Sequence, residues 1–485
     1  MAVIGIDLGT QSLKAIVVDD ELRLRGEAGV LYQPAFPAPG WAEQNPALWL
    51  AALKPAIADA LDKAGLAPSD IKGIALAGQL DGCVAADSSG QALSPCIIWM
   101  DRRASGEIAG IDPDFIRERT GLVLDATHMA AKIRWAARNL AEASRVALWH
   151  QPVSFVVAAL CGRAVIDHAL ASTTMLYGLK ERFYAGDLLA AFDIDADKLP
   201  GIDDASAVAG VLTRAGAELT GLPVGVPLAV GTGDDFSAAI GAGVVAPGVV
   251  ACNLGTAEVV GAVSDTLRLD PGGLVETHGF LDDRYFVSNP GWLSGGAVTW
   301  FLSTFGVDSP AAMSELAATV VAGSDDLLFL PALSGAMAPR WIAEARGAFY
   351  GLTSFHGKAA CARAALEGCA FAMRDVVDRL DELGIATDRI RLSGGGARSR
   401  VWAQIRADVS GRPVEIADAA DASPIGAAIL AAAAIGLSSS LQQAVERLSG
   451  GIETIDPNPS AKATYDRSYR RYRTLFDALT PLHAD

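Results

Sequence analysis

The sequence predicts an α/β protein made of two related halves. Its 485 residues exceed what one ordinary hydrophobic core supports, so at least two domains are expected. Short β-branched runs alternate with stretches that have the apolar spacing of helices, which is typical of α/β folds. A strand ending in Asp/Asn-Leu-Gly-Thr occurs at Val3–Thr10 and again at Val249–Thr256. A repeat about half a chain apart indicates two domains of one kind.

Composition narrows the class of protein. Hydrophobic residues make up 51% and charged residues 20% of the chain, which is a globular balance and excludes a disordered protein. The net charge of −17 argues against general binding to nucleic acid or anionic lipid. Six scattered cysteines without a Cys-x-x-Cys pair fit a reduced protein. Without a signal-like or bilayer-length apolar run, we expect a cytoplasmic protein with no membrane partner.

The elements follow in order along the first half. Apolar positions at helical spacing predict helices over 46–64 and 129–143. Runs at 73–76 and 227–230 predict strands. Small residues and a proline at 241–248 predict a boundary there, which divides the chain into domains 1–243 and 244–485.

Helical patterns dominate the second half. They predict a long helix over 358–382 and shorter ones over 399–410 and 424–434. A final amphipathic helix is expected over 465–476. Its arginines are interpreted as a solvated helix face rather than a ligand site.

The two repeated turns are candidate phosphate loops. A glycine in a tight turn lets backbone N–H groups approach phosphate oxygens, and the Thr10 hydroxyl adds a donor. Asp7, at the end of the preceding strand, is suited to hold Mg²⁺ through water. One such motif alone is better explained as an ordinary β-hairpin. Two copies favour nucleotide binding, whereas Walker-type and protein-kinase motifs are absent.

Two further glycine-containing segments are candidates. In Gly231–Asp235, a carboxylate at a strand end can accept a proton from a hydroxyl that attacks phosphorus, but an aspartate there also serves as a helix N-cap. The triple glycine Gly394–Gly396 lies between a predicted strand and a helix, where free N–H groups can contact an anion or a purine. A flexible turn explains the triple glycine equally well.

Polar residues at the ends of other apolar runs suit a polyhydroxylated ligand. Gln79 and Asp81 follow one run, and Trp99 and Asp101 follow another. Sugar hydroxyls need paired donors and acceptors, which such groups supply. Each segment alone is better explained as a surface loop. The spacing of His, Cys and Ser residues indicates neither a zinc site nor acyl transfer.

Taken together, the motifs resemble the FGGY carbohydrate kinases over essentially the whole chain, and within them the members that phosphorylate xylulose. The matching segments, in order, are GIDLGT, GWAEQNP, AGQLDG, WMDRR, GTGDD, LGT, ARGAFYGLT, ARAALEG, SGGGARSRVWAQIRADVSGRPVE and the alanine-rich helix near the end.

The resemblance implies a fold and an activity. The fold is two ribonuclease H-like domains of the actin, sugar-kinase and heat-shock-ATPase type with a cleft between them. Domain 1–243 is expected to bind the sugar and domain 244–485 to bind ATP. The activity is Mg²⁺-dependent transfer of the γ-phosphoryl group of ATP to a ketopentose hydroxyl, with D-xylulose as the expected acceptor. A homodimer is also implied.

The resemblance assigns roles residue by residue. Asp234 is the expected general base, and Asp7 and Asp234 are the expected Mg²⁺-linked carboxylates. The expected nucleotide-binding residues are Gly9, Thr10, Gly255, Thr256, Gly395 and Gly396. The expected acceptor-binding residues are Gln79, Leu80, Asp81, Trp99, Asp101 and Asp235.

Three departures from the family pattern leave the acceptor open. Asp81 stands where a histidine is usual, and Asp235 where an asparagine is usual. Segment 333–339 lacks the usual Glu-Arg-Thr. Two alternatives follow: a kinase of another ketose or polyol, or an ATP-binding regulator on the same fold that has lost the chemistry.

Overall fold

The computed structural model describes residues 1–416, 421–438, 440–448 and 451–483. The chain forms two compact units. Unit 1 comprises Met1–Val245, Thr277–Tyr285 and Ala422–Gly450, and unit 2 comprises Ala246–Glu276, Phe286–Asp421 and Gly451–Asp485. Among the described residues, none of the helices combines the length and apolar character needed to cross a membrane.

The strands and helices alternate along both units, which confirms the α/β class. The strands are β1 (Ala2–Leu8), β2 (Ser12–Asp19), β3 (Leu24–Leu31), β4 (Glu43–Gln44), β5 (Ile71–Gly78), β6 (Val84–Ala86), β7 (Cys96–Ile97), β8 (Leu148–His150), β9 (Val165–Asp167), β10 (Tyr177–Gly178), β11 (Phe183–Tyr184), β12 (Gly201–Asp203), β13 (Val208–Val211), β14 (Pro227–Ala229), β15 (Thr232–Gly233), β16 (Val249–Leu254), β17 (Glu258–Ser264), β18 (Glu276–Gly279), β19 (Tyr285–Trp292), β20 (Leu328–Leu330), β21 (Ala348–Tyr350), β22 (Arg389–Ser393), β23 (Val414–Ile416) and β24 (Glu453–Ile455). The helices are α1 (Pro46–Ala64), α2 (Pro113–Thr120), α3 (Met129–Asn139), α4 (Pro152–Cys161), α5 (His168–Ser172), α6 (Gly186–Phe192), α7 (Arg214–Thr220), α8 (Asp234–Gly241), α9 (Ser294–Phe305), α10 (Pro310–Ala318), α11 (Lys358–Glu382), α12 (Arg400–Ser410), α13 (Ala422–Ala434), α14 (Leu441–Leu448) and α15 (Lys462–Leu479).

Local capping explains several helix ends. The Asn45 side chain accepts a hydrogen bond from the Ala47 N–H at the start of α1, and Gly65 ends the helix in the left-handed conformation.

Helices α1 and α11 have the predicted bounds. Helix α3 ends at Asn139, before the predicted residue 143, because Leu140 is already extended. Helix α15 is longer than predicted and buries a row of tyrosines.

The main sheet of unit 1 places three parallel strand ends at one edge. Its strand order is β13-β14-β5-β1-β2-β3, and β15 also pairs with β5. Strand β1 is antiparallel to β2 and parallel to β5. Strand β15 is likewise parallel to β5. The carboxyl ends of β1, β5 and β15 therefore lie at the same edge of the sheet.

The main sheet of unit 2 repeats this arrangement. It contains the strand order β19-β17-β16-β22-β23-β24. Strand β16 is antiparallel to β17 and parallel to β22, as β1 is to β2 and β5. The predicted repeat is therefore a repeat of topology, confirmed in both sheets.

Unit 1 differs from the predicted domain 1–243 because it also includes Thr277–Tyr285 and helices α13 and α14. Helix α13 makes the closest of these contacts that can be traced to glycines. This helix packs against β1 and α8, where glycines let the backbones approach. A Cβ on Gly5 would lie 2.0 Å from the Pro424 carbonyl oxygen, and one on Gly241 would lie 1.9 Å from the Ala422 carbonyl oxygen. Close backbone packing between segments far apart in sequence leaves no local signal, so the sequence division missed it.

Filling this contact should destabilise the protein. A Cβ on Gly426 of α13 would lie 1.9 Å from the backbone oxygen of Ser237 in α8, and a helix backbone cannot yield as a flexible side chain does. We expect Gly426→Ala to lower the free energy of unfolding by about 3 kcal/mol, the upper end for overpacking, in chemical denaturation. Gly186→Ala is the matched control, since no atom lies within 4 Å of its added Cβ. Equal stability of the two variants would contradict the close contact.

Candidate active site

Three predicted site segments meet at one sheet edge of unit 1. In the strand register Leu8 of β1 lies opposite Gly78 of β5, and Gly78 lies opposite Gly233 of β15. The residues that follow these strand ends are Gly9, Gln79 and Asp234. The carboxyl edge of parallel strands is where α/β proteins place their ligands.

The turn after β1 is held by side chains from other segments. The Gly9 N–H donates to the Ser12 carbonyl at 3.0 Å, which closes the turn. The Gly9 carbonyl accepts the Tyr32 hydroxyl at 2.8 Å. The Trp99 indole N–H donates to the Thr10 hydroxyl oxygen at 3.0 Å. Trp99 is 46% exposed, so it joins the predicted phosphate turn to the protein surface.

Two buried glutamines hold the same turn from the protein interior. Gln44 Nε2 donates to the Thr10 carbonyl at 2.6 Å. Gln79 Nε2 donates to Gln44 Oε1 at 2.7 Å and lies 3.5 Å from the Gly9 carbonyl. The Gln79 Oε1 atom is buried and has no protein hydrogen-bond partner. Gln79 therefore links the ends of β1 and β5, and its Oε1 atom is available to accept a hydrogen bond from a ligand or water.

Asp7 occupies the end of β1 and receives a hydrogen bond that sequence reasoning missed. The Ser423 hydroxyl of α13 donates to Asp7 Oδ1 at 3.0 Å. A separation of 416 residues hides this pair from any local pattern. The contact orients one oxygen of the carboxylate that was predicted to bind Mg²⁺.

Asp234 and Asp235 open helix α8 directly after β15. The Asp235 N–H donates to Asp234 Oδ1 at 3.0 Å. The preceding Thr232 donates its hydroxyl proton to the buried Asp167 carboxylate at 2.7 Å, which anchors the strand. The N-cap of α8 is Gly233, which makes no side-chain capping bond, so the N-cap interpretation of the aspartates is wrong. Asp234 is the first residue of the helix and lies at the edge of the sheet.

Both carboxyl groups hold their protons more tightly than ordinary aspartates. Burial raises the pKa of Asp234, and the neighbouring Asp235 charge raises it further. Burial likewise raises the pKa of Asp235, to which the charges of Asp81 and Asp7 add. A carboxylate with a raised pKa is a stronger proton acceptor once ionised, which suits a general base.

Asp81 is held rigidly at the start of its own loop. Its backbone lies in the left-handed region, with φ of 58°. Its N–H donates to Gln151 Oε1 at 3.0 Å, and its carbonyl accepts the buried Lys132 ammonium at 2.6 Å. The adjacent Leu80 side chain lies against Gly233, where a Cβ would come within 2.8 Å of its Cδ2 atom. The predicted pair Leu80-Asp81 thus lies beside the strand that leads into Asp234.

Asp101 is bound to neighbours inside the protein. It is fully buried and accepts the Ala42 N–H at 2.6 Å. The Arg103 guanidinium pairs with it at 2.7 Å and stacks over the Trp41 ring at 3.7 Å. These contacts fix Asp101 two residues after Trp99, and direct acceptor binding by Asp101 stays a prediction.

The second predicted turn, in unit 2, is shaped by close backbone approach. The turn containing Gly255 and Thr256 joins β16 to β17. The Gly296 N–H donates to the Thr256 carbonyl at 3.0 Å. A Cβ on Gly295, at the start of α9, would lie 2.2 Å from the Gly255 carbonyl. The start of α9 therefore presses on this turn.

The glycine-rich loop of unit 2 packs on the strand that leads into that turn. Gly394 has φ of 80°, and a Cβ there would lie 2.8 Å from both Asn253 Oδ1 and the Leu254 carbonyl oxygen. A Cβ on Gly396 would lie 2.8 Å from the Leu254 Cβ, whereas Gly395 has open space around it. The predicted second phosphate turn and adenosine loop are thus brought together within unit 2.

Family models decide the identity of the chain. The model described as "FGGY family of carbohydrate kinases, N-terminal domain" matches residues 2–241, and the C-terminal model matches residues 250–435. The chain belongs to the FGGY family of carbohydrate kinases. As an FGGY kinase it is a phosphotransferase: ATP is the phosphoryl donor, and an alcohol group of a carbohydrate is the acceptor. The resemblance and the two-domain α/β fold predicted from sequence are confirmed.

Related FGGY kinases differ in the acceptor that their names state. A xylulose kinase of Escherichia coli (strain K12) is 30% identical over 488 residues, which cover 99% of this chain and 100% of the relative. A glycerol kinase of Thermococcus kodakarensis is 31% identical, covering 89% of this chain and 88% of the relative. The crystal structure of a gluconate kinase from Lactobacillus acidophilus has a TM-score of 0.91 and 25% identity, covering 100% of this chain and 98% of that one. All three are named as kinases, and each name states a different acceptor.

Proposed function

We propose that this FGGY kinase transfers the γ-phosphoryl group of ATP to a hydroxyl of a ketopentose, with D-xylulose as the first candidate. The observation that carries the proposal is the position of Asp234, which opens α8 at the sheet edge shared with the Gly9 turn. A base at this edge stands beside the loop proposed to receive phosphate oxygens.

The residues divide the chemistry between them. Asp234 accepts the proton from the attacking acceptor hydroxyl. The turns at Gly9-Thr10 and Gly255-Thr256 supply donors for phosphate oxygens. Gly395, which has open space around it, leaves room for the adenosine beside the packed Gly396. Such groups act by positioning and by stabilising charge on the transferring phosphoryl group.

Asp7 and Asp234 fit Mg²⁺ as a partial site. No group of three or more metal-binding side chains occurs among the described residues. Mg²⁺ is often held by only one or two carboxylates together with phosphate oxygens and water. Two aspartates near a phosphate turn fit this coordination preference. When bound with ATP, Mg²⁺ would neutralise charge on the phosphates.

D-xylulose is favoured as acceptor by the end-to-end match with the Escherichia coli enzyme. Asp81 supports a second candidate, another ketose or a polyol, because a carboxylate only accepts hydrogen bonds where the usual histidine can also donate. Gln79, Asp81, Trp99 and Asp235 are proposed to contact the acceptor, with Leu80 and Asp101 shaping their loops.

An acceptor panel tests the proposal. We expect ADP release from MgATP with D-xylulose above that with other ketopentoses, glycerol and D-gluconate. The Asp234→Ala variant serves as the blank. Turnover of a different ketose or polyol would replace D-xylulose and keep the mechanism. Nucleotide binding without turnover of any acceptor would overturn the proposal in favour of an ATP-binding regulator. The homodimer stays a prediction, to be read from light scattering.

A further inference from the structure

We infer that Asp81, His128 and His278 form a recognition site for the hydroxyl groups of an uncharged acceptor, and that this site discriminates against sugar acids. The inference deepens the proposed function and rests on it for the location of the acceptor. Neither histidine belongs to a segment that carries the family resemblance.

Asp81 and His128 are in contact. His128 Nδ1 lies 3.4 Å from Asp81 Oδ1, and both side chains are largely buried. His128 immediately precedes α3, the helix that also carries Lys132. Lys132 therefore holds the backbone carbonyl of Asp81, and His128, one turn earlier, holds its carboxylate. A carboxylate fixed in this way presents its acceptor oxygens in one orientation, as specific recognition requires.

His278 lies beside the helix that the proposed base opens. Its segment is part of unit 1, because the Thr277 N–H donates to the Gly121 carbonyl and the Gly279 N–H donates to the Ser172 hydroxyl, both at 3.1 Å. The His278 ring meets the Phe236 ring edge-on, with 5.2 Å between their centroids. Phe236 lies two residues after the proposed base, so His278 stands beside the first turn of α8.

The buried imidazole of His278 has an unsatisfied polar atom. His278 is 6% exposed, and its Nδ1 atom has no hydrogen-bond partner in the protein. Burial, together with the nearby His128, lowers the pKa of His278 to about 3, so the ring is neutral at physiological pH. A buried polar atom without a partner is costly, and native proteins rarely leave one unless a ligand or water pairs with it. A hydroxyl, which both donates and accepts, is suited to a neutral imidazole.

This edge of the sheet is negatively charged. The charges of Asp7 and Asp81 both raise the pKa of Asp235, so these two carboxylates act at the same place on this edge. The nearby Lys132 ammonium is fully buried and already donates to the Asp81 carbonyl. A sugar acid would bring another carboxylate into this negative field, whereas a neutral polyol brings hydroxyl donors to it. Repulsion between like charges a few ångströms apart near a protein surface is worth more than tenfold in binding.

The test compares a neutral acceptor with an anionic one. For the unaltered enzyme we expect kcat/KM for the best neutral ketose or polyol to exceed that for D-gluconate by at least about 100-fold. Asp81→Asn keeps the shape and removes the charge, and it should narrow this ratio by about tenfold. Asp59→Asn is the matched control, since it removes the same charge from an exposed position on α1. Its ratio should stay within about twofold of the unaltered enzyme.

His278 is tested separately. His278→Phe keeps a flat ring and removes the polar atoms, and it should lower kcat/KM for the neutral acceptor about tenfold with the KM for ATP unchanged. Melting temperatures within a few degrees of the unaltered protein show that the variant is folded. A His278→Asn variant, which restores a donor and an acceptor, should recover part of the loss, and equal defects in both variants would mean that His278 only packs.

Binding measured by calorimetry separates failure of this inference from failure of the proposed function. Binding of a neutral acceptor in preference to D-gluconate, without phosphorylation, would overturn the kinase proposal and support the recognition site. Phosphorylation of D-gluconate as efficient as that of every neutral acceptor would overturn the recognition site and support the kinase. If Asp81→Asn left the ratio of kcat/KM for the neutral acceptor to that for D-gluconate unchanged, the recognition site would also be overturned.

Discussion

Replacing Asp234 by asparagine is expected to lower kcat by a factor of about 10² to 10⁴, the usual cost of losing a general base. Asparagine has nearly the same shape and can still accept the Asp235 N–H that now reaches Asp234 Oδ1. The loss should therefore come from proton transfer rather than from folding. Steady-state ADP release with the preferred acceptor measures it, with nucleotide binding by calorimetry as the control for an intact ATP site. Turnover within about threefold of the unaltered enzyme would show that another group takes the proton.

The neighbouring aspartate supplies a second readout of the same base. The Asp235 charge contributes to the raised pKa of Asp234, after burial. Removing that charge in Asp235→Asn should lower the pKa of Asp234. The base is active when ionised, so kcat/KM is lost as the pH falls through this pKa. The acid limb of the kcat/KM profile should thus shift to lower pH in Asp235→Asn, and a limb that stays in place would contradict the assignment of Asp234.

Removing Glu258 is expected to cost about 3 to 5 kcal/mol of unfolding free energy, because it leaves a buried charge without its partner. Glu258 lies two residues after the Gly255-Thr256 turn, and its side chain and that of Arg406 are both fully buried. The Arg406 guanidinium donates to both carboxylate oxygens of Glu258, at 2.5 and 2.7 Å. It also stacks over the Trp402 ring at 4.6 Å. Glu258→Leu, measured by chemical denaturation, should show the full penalty.

The double variant distinguishes charge from packing. Glu258→Leu combined with Arg406→Met replaces the buried pair by apolar side chains, and such replacements are often neutral or stabilising. We expect the double variant to recover most of the stability lost in Glu258→Leu. A double variant as unstable as the sum of the two single ones would mean that the pair contributes through packing rather than through compensated charge.

The ion pair also ties together two predicted nucleotide loops within unit 2. Glu258 begins β17, after the second phosphate turn, and Arg406 lies on α12, after the glycine-rich loop. The sequence pattern identifies each loop separately. Neither a glutamate at a strand start nor an arginine in a helix indicates by itself that the two are partners.

The sequence by itself determined the α/β class, the repeated strand-turn motif and the pair of aspartates at a strand end, from which the resemblance selects Asp234 as the proposed base. These features depend on the local chemistry of the chain: apolar periodicity selects strands and helices, and glycine and aspartate at a strand end define a turn and a helix start. The resemblance placed them in a family, and the family models confirm it.

Only the tertiary structure decided which distant segments meet. It placed α13 in unit 1, so that Ser423 reaches Asp7, and it brought His128 and His278 to the neighbourhood of Asp81. Such contacts come from close packing of backbone on backbone and from satisfying buried polar groups. Those energies depend on positions in space rather than on spacing along the chain, so no pattern in the sequence expresses them.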